Sequence, residues 1–335
     1  MATKIKDQDY LFATARVRGK EKNLLSRDKA EKMIEAKTAD DALKVLYDLE
    51  YGSGEPVEPH DFEVLLTGEH KAAYDFIMSV APDKQCFTMF LYPADYHNLK
   101  AILKAEFQGT DPGPLLMETG SIDPAKLQVM VRDRNLIGLT ERMRHAVNEV
   151  IDVFSRTGDP QSVDIILDRA CYADMADAAA ATDNDYFIGY VKLLIDTINL
   201  KSFVRLRRMG KSWDFFGKVF LPGGSISEKL FVASYDEPLE QVADRLVPYG
   251  LQRVLAEGAV SLKETGRYTM LEKLCDDRLM DYVRDSKYKS FGAEALVGYL
   301  LAKESEIKTA RIIMAGKLAG LQPELIRERL RETYV

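Results

Sequence analysis

The chain has 335 residues, 46% of them hydrophobic and 30% charged, with a net charge of −7. This is the composition of an ordinary water-soluble globular protein, long enough for two or three domains. An acidic balance with both signs mixed disfavours a general nucleic-acid binder, which gains affinity by releasing phosphate counterions. Three widely spaced cysteines, Cys86, Cys171 and Cys275, form no CxxC pair and read as reduced thiols rather than a disulfide framework or zinc site.

In chain order, the opening MATKIKDQDYLF holds no apolar stretch of signal-peptide length, and no later run approaches the 18 or so residues of a membrane span. A soluble chain is expected, meeting a membrane only at its surface or through another protein. Thr38 begins a helix over ADDALKVLYDLE, and FTMFLY at 87–92 is the nearest approach to a strand. Pro93 opens PADYHNLKAILKAEF and Gly109 closes it; Asp159-Pro160 opens another helix, just after Gly158 ends its predecessor. Ser225-x-x-Glu228 has the spacing of a capping box, and Pro323 opens PELIRERLRETY. Breaks rich in glycine and proline at 51–59, 109–114 and 221–225 read as short inter-helix loops. The expected fold class is all-α.

A word recurs along these helices. Residues 95–100 read DYHNLK and residues 196–201 read DTINLK; a looser third copy, KESEIK, spans 303–308. Asn98 and Asn199 are 101 residues apart, and Glu306, in the asparagine's place, follows 107 residues later. Each helix runs on to a glycine: Gly109, Gly210 or Gly316. Breaks at 117–127 and 221–230 then repeat Gly-Ser-Ile before a new helix. A fixed period of this kind signals a repeated structural unit. Three helical repeats are expected, over 1–115, 116–220 and 221–335, with boundaries uncertain by about 15 residues.

Gly210-Lys211-Ser212 looks like the end of a phosphate-binding loop, but position 205, where the first glycine belongs, holds Arg205. Gly316-Lys317 fails similarly, with Arg311 and Leu318 at the required positions. Both glycines read as helix ends, where glycine enters the left-handed region without penalty. The histidines His60, His70, His97 and His145 have no metal-ligand spacing. No catalytic, cofactor or metal residues are assigned. The candidate positions are the repeated polar ones: Asp95, Asn98, Lys100, Asp196, Asn199, Lys201, Glu306 and Lys308. Spacings of three and four put Asp95, Asn98 and Leu99 on one helix face, and Asp196, Asn199 and Leu200 on another. Burying such polar groups is costly without partners. They either bond a neighbouring helix and set its position or line a docking cavity, and the structural role is favoured.

The words YLFATARVRGKEKNLL (10–25), DYHNLKAIL, DTINLKSFVR and the ending EALVGYLLAKESEIKTARIIMAGKLAGLQPELIRERL (294–330) together resemble the C subunit of bacterial and archaeal V-type ATPases and ATP synthases, the counterpart of the d subunit in eukaryotic vacuolar ATPases. Residues 73–92 and Glu306 depart from that pattern. The resemblance implies a funnel of three similar helical lobes around a pseudo-threefold axis. It implies a non-catalytic rotor adaptor, peripheral on the cytoplasmic face, between the central stalk and the proteolipid ring, passing torque for ion transport such as proton transport. A generic α-helical scaffold binding other proteins is the alternative. An enzyme ranks third, since it would need a pocket of convergent titratable groups, and no nucleic-acid partner, cofactor or direct membrane insertion is expected.

Overall fold

A computed structural model describes residues 5–52 and 56–335. The opening four residues and part of the 51–59 break therefore lie outside the described residues. The first helices are α1 (Leu11–Lys20), α2 (Arg27–Glu35), α3 (Ala39–Tyr47), α4 (Phe62–Val80) and α5 (Tyr92–Gln108). Then come α6 (Pro124–Arg132), α7 (Glu141–Thr157), α8 (Pro160–Ala181), α9 (Asp185–Arg208), α10 (Trp213–Val219) and α11 (Glu228–Ala233). The chain closes with α12 (Leu239–Arg245), α13 (Gln252–Thr265), α14 (Thr269–Arg284), α15 (Ala293–Leu318) and α16 (Pro323–Arg327). No strand occurs among the described residues. The fold class is all-α.

Local chemistry sets most boundaries. Ser26, Thr38, Asp123, Thr140 and Asp159 each accept a backbone amide from the first turn of α2, α3, α6, α7 and α8, supplying acceptors to donors the helix cannot satisfy itself. Gly109 and Gly158 end α5 and α7 in the left-handed region.

Several sequence expectations are corrected. FTMFLY is no strand: residues 87–91 lie in a 3₁₀ segment, Gln85–Leu91, and Tyr92 begins α5; Phe87, Met89 and Phe90 are buried here without a sheet to join. Ser225 is not a cap: Ser227 caps α11, while the amide of Ser225 is used elsewhere. The helix from Pro323 ends at Arg327, and the α3 helix at Tyr47. Gly316 lies inside α15, and the turn after it is made by Gly320 at φ 66. A Cβ on Gly316 would sit 2.8 Å from a side-chain carbon of Ile326, so its bareness lets α16 fold back onto α15.

The chain forms two compact units, one of residues 85–238 and the other of residues up to 84 together with 239–335. In the first, α8 packs against α5, α7 and α9. Lys100 and Lys104 of α5 reach Asp168 and Asp164 of α8 at 2.6 and 2.7 Å. In the second, α15 packs against α1, α2, α3, α4 and α14. Its core joins Met33, Ile34, Leu46 and Leu66 to Ile313, Met314 and Ile326, segments from opposite ends of the sequence. Arg327 reinforces this by pairing with Glu31 at 2.7 Å and with Glu35.

Candidate functional site

The repeated polar helix positions form a defined bracket. In α5, Asp95 Oδ1 accepts the Ile122 amide at 3.1 Å and Oδ2 accepts the Ser121 hydroxyl at 2.6 Å. Three residues on, Asn98 closes a two-bond ring with one residue. Its Oδ1 accepts the Met117 amide at 2.8 Å, and its Nδ2 donates to the Met117 carbonyl at 2.9 Å. In α9, Asp196 Oδ1 accepts the Ile226 amide and Oδ2 the Ser225 amide, both at 3.0 Å. Asn199 closes the same ring on Leu221, at 2.9 and 2.8 Å. All four side chains are buried.

Apart from that from the Ser121 hydroxyl, these bonds go to the backbone of the segment that follows the same helix. The sequence reading expected a neighbouring helix to receive them. The difference has a simple cause: a segment leaving a helix end and doubling back carries unpaired amides and carbonyls, which need partners once buried. A primary amide presents one donor and one acceptor side by side and so imitates a paired strand. The carboxylate then takes the amides just before the next helix, whose caps are Asp123 and Ser227. Hydrogen bonds to a charged acceptor contribute about 1.5–3 kcal/mol each.

The shared Gly-Ser-Ile is explained by the same geometry. A Cβ on Gly120 would lie 2.3 Å from Asp95 Oδ1, and one on Gly224 would lie 2.2 Å from Asp196 Oδ1. Only glycine lets the segment come close enough for a short aspartate to reach it. Burial pushes the carboxyls of Asp95 and Asp196 above the ordinary aspartate range, opposed by the bonds they accept.

The third copy does this work with different atoms. Glu306 of α15 is buried, and its Oε2 accepts the Leu25 amide at 2.6 Å. Leu25 immediately precedes Ser26, the cap of α2, just as Ile122 and Ile226 precede Asp123 and Ser227. Glu306 stands in the asparagine's place in the word, but by contact it performs the aspartate's task. The extra methylene of glutamate lengthens the reach, and Asn23-Leu24-Leu25 replaces Gly-Ser-Ile without a glycine. Its other oxygen accepts the Tyr51 hydroxyl and the Lys303 ammonium, the latter at 2.8 Å. Lys303 is itself buried, lies over the Tyr51 ring and pairs with Glu69 at 2.7 Å. The tyrosine hydroxyl, denied water and facing a carboxylate, is pushed well above its usual pKa.

The remaining candidates do not join the brackets. Lys100 pairs with Asp168 of α8, Lys201 is half-buried and Lys308 is exposed. Tyr51, Lys303 and Glu69 were missed. The signal present was a Lys and a Glu three apart directly after the apolar run at 295–302, a pairing that a buried face tolerates only with partners. A cavity of about 560 Å³ adjoins this cluster, lined by Lys303, Glu69, Tyr299, Gly68 and Phe76 among others. The three cysteines are buried and not joined in disulfides, and no group of His, Cys, Asp and Glu suited to a metal occurs among the described residues. No helix among them is long and apolar enough to cross a membrane.

What these brackets do is mechanical: each locks a long helix to the segment leading into a shorter helix. The family model described as "ATP synthase (C/AC39) subunit" matches residues 13–329, which takes in all three brackets. The chain belongs to this family. The C subunit of a V-type sodium ATPase from Enterococcus hirae is 23% identical over 325 residues, covering 95% of this chain and 97% of that protein. The C subunit of an A-type ATP synthase from Methanocaldococcus jannaschii is 26% identical over 343 residues, covering 96% and 86%. Its equivalent from Thermococcus kodakarensis is 21% identical over 337 residues, covering 96% and 90%. The family is that of a structural subunit of rotary ATPases, not of a catalytic one.

Proposed function

We propose that this chain is the C subunit of a V/A-type ATPase or ATP synthase and acts as a rotor adaptor. It sits peripherally on the cytoplasmic face of the membrane sector, receives the central stalk, bears on the proteolipid ring and passes torque between them. The observation that carries this reading is the bracket, used at Asp95/Asn98, at Asp196/Asn199 and in altered form at Glu306, in a chain of the C/AC39 family. A torque-passing part must resist bending where helices join, and a segment tied back onto its own helix by several hydrogen bonds is stiff there. Packed helical cores resist gradual deformation for the same reason.

Within this reading the chain has three related lobes around a pseudo-threefold axis. The first two are built on α5 and α9, which lie inside the ranges 1–115 and 116–220. The third, expected at 221–335, draws on both ends: α15 supplies Glu306, while the N-terminal segment supplies Leu25 and α2. An open-ended helical scaffold adds each repeat to the one before and needs no such exchange, so the adaptor is favoured over the generic scaffold.

The test is to isolate the affinity-tagged chain from its native membranes and identify what accompanies it. Stalk subunits and the proteolipid are expected, with no ATP turnover by the chain alone. Recovery without any rotary-ATPase subunit defeats the proposal.

A further inference from the structure

The cavity beside Glu69 and Lys303 is wider than packing requires. It lies within the unit formed by the two ends of the chain and holds about 560 Å³. One wall is a single face of α4, where Val64, Gly68, Ala72 and Phe76 recur at spacings of four. Gly68 stands in the interior of this helix, where glycine is less favourable than alanine. A Cβ there would meet nothing within 4 Å, whereas one on Gly316 or Gly258 would sit 2.8 Å from a neighbouring side chain. Close packing accounts for those two glycines. It does not account for Gly68, whose bare face opens on the cavity.

The floor holds hydrogen-bonding capacity that the protein does not use. Tyr299 of α15 is 4% exposed and lines the cavity, yet its hydroxyl makes no hydrogen bond among the described residues. Its ring is set by an edge contact with Phe76, centroids 5.7 Å apart. Burial and the carboxylates of Glu69, Glu306 and Glu21 push its pKa up, so the hydroxyl keeps its proton. Glu69 turns one oxygen to the Lys303 ammonium at 2.7 Å; its other oxygen accepts no hydrogen bond among the described residues. Glu306 is the second carboxylate on that ammonium, at 2.8 Å. Two carboxylates on one cation leave the cluster with one negative charge in excess. Arg18 pairs with Glu21 at 2.7 Å and Lys20, at the rim, with Glu50 at 4.0 Å, so neither supplies the balance.

We infer that this cavity binds a primary ammonium at the end of a short apolar chain. The ammonium donates to the outer oxygen of Glu69 and to the Tyr299 hydroxyl, and the chain lies along Gly68, Ala72 and Phe76. An anionic ligand would meet Glu69 with no uncommitted cation to hold it. An uncharged apolar ligand would shut Glu69 and Tyr299 away from water without a partner, which is costly. A cavity of this size, with apolar walls and a few convergent polar groups, has the make-up of a small-ligand pocket. A free alkylamine and the lysine side chain of a protein partner share this chemistry. The binding inference does not depend on the rotor reading.

The test titrates the full chain with hexylammonium, followed by ligand-detected NMR, with hexanol and hexanoate as controls. Hexylammonium should bind and the controls should not. Glu69→Gln should weaken binding about tenfold, the loss of one charged hydrogen bond, and Tyr299→Phe about threefold. Gly68→Leu fills the cavity from a position where a side chain has room. It should abolish binding while the urea midpoint holds or rises, and it decides the matter if Glu69→Gln fails to fold. Equal binding of all three ligands, undiminished binding to Gly68→Leu, or no binding of hexylammonium overturns the inference. The source of the amine is read by isolating tagged Gly68→Leu from native membranes. Loss of the accompanying rotary-ATPase subunits assigns the site to a partner's lysine; their retention assigns it to a free alkylamine. If no such subunits accompany the unaltered chain, the rotor reading fails and the binding result stands.

Discussion

The brackets at Asp196/Asn199 and at Glu306 fasten equivalent places by opposite means. At Asp196 the chain is brought close, a glycine clears the way, and backbone amides satisfy a short carboxylate. At Glu306 no glycine stands in the approaching segment, a longer carboxylate accepts from it, and its second oxygen is balanced by a buried ammonium and a phenol. The first solution relies on backbone freedom, the second on side-chain charge. They should therefore break differently.

The largest effect is expected at Glu306. Glu306→Ala strips Lys303 of its buried partner, leaving only the half-buried Glu69, and leaves the Tyr51 hydroxyl and the Leu25 amide unpaired. About 3–5 kcal/mol of stability should be lost, the range for breaking a buried ion pair, read as a lowered urea midpoint. Gln at 306 should recover part of it, because an amide oxygen can still accept from Leu25.

Next comes the glycine that the first solution needs and the second lacks. Gly224→Ala drives a methyl into Asp196 Oδ1 and should cost about 1–3 kcal/mol. In an Asp196→Ala background the same change should cost much less, so a double-mutant cycle on urea stability isolates the clash. If the costs simply add, the close approach is not what glycine serves.

Asn199→Leu should lower stability by about 1–3 kcal/mol by leaving the Leu221 amide and carbonyl unpaired in a buried site. Asn98→Leu should cost less, since Met117 is 43% exposed and water can replace the side chain. Both should disturb folding more than assembly. A variant of normal thermal stability that no longer assembles would instead make these positions docking residues.

The smallest effect concerns pH. The Asp95 and Asp196 carboxyls titrate above the unfolded aspartate value because they are buried. A raised folded value means that the fold takes up protons, so their contribution is fully present below the unfolded value and is lost as pH rises through the raised one. Asp196→Asn should flatten that part of the stability–pH curve, measured by urea midpoints from acid to neutral pH.

Much of this architecture is legible in the sequence. Glycine, proline and cap residues mark α5, α7 and α8, because helix ends are governed by neighbours in sequence. The recurrence of DYHNLK and DTINLK with Gly-Ser-Ile locates two of the brackets, since all their parts lie within about 30 residues. The third is obscured twice over. Its donor, Leu25, is far away at the other end of the chain, and its chemistry has changed from aspartate and asparagine to glutamate, lysine and tyrosine. Gly316 misleads for a related reason: it answers to the side chain of Ile326, and a glycine that makes room reads in sequence like one that ends a helix.

The pairing of Leu25 and α2 with α15 and α16 has a consequence for biosynthesis. As the chain leaves the ribosome, α2 and α3 emerge early with Met33, Ile34 and Leu46 bare, while the helices that cover them are among the last to be made. That part of the protein cannot mature in order of translation, and its apolar faces must wait through most of elongation, a period when they are open to aggregation and to chaperones.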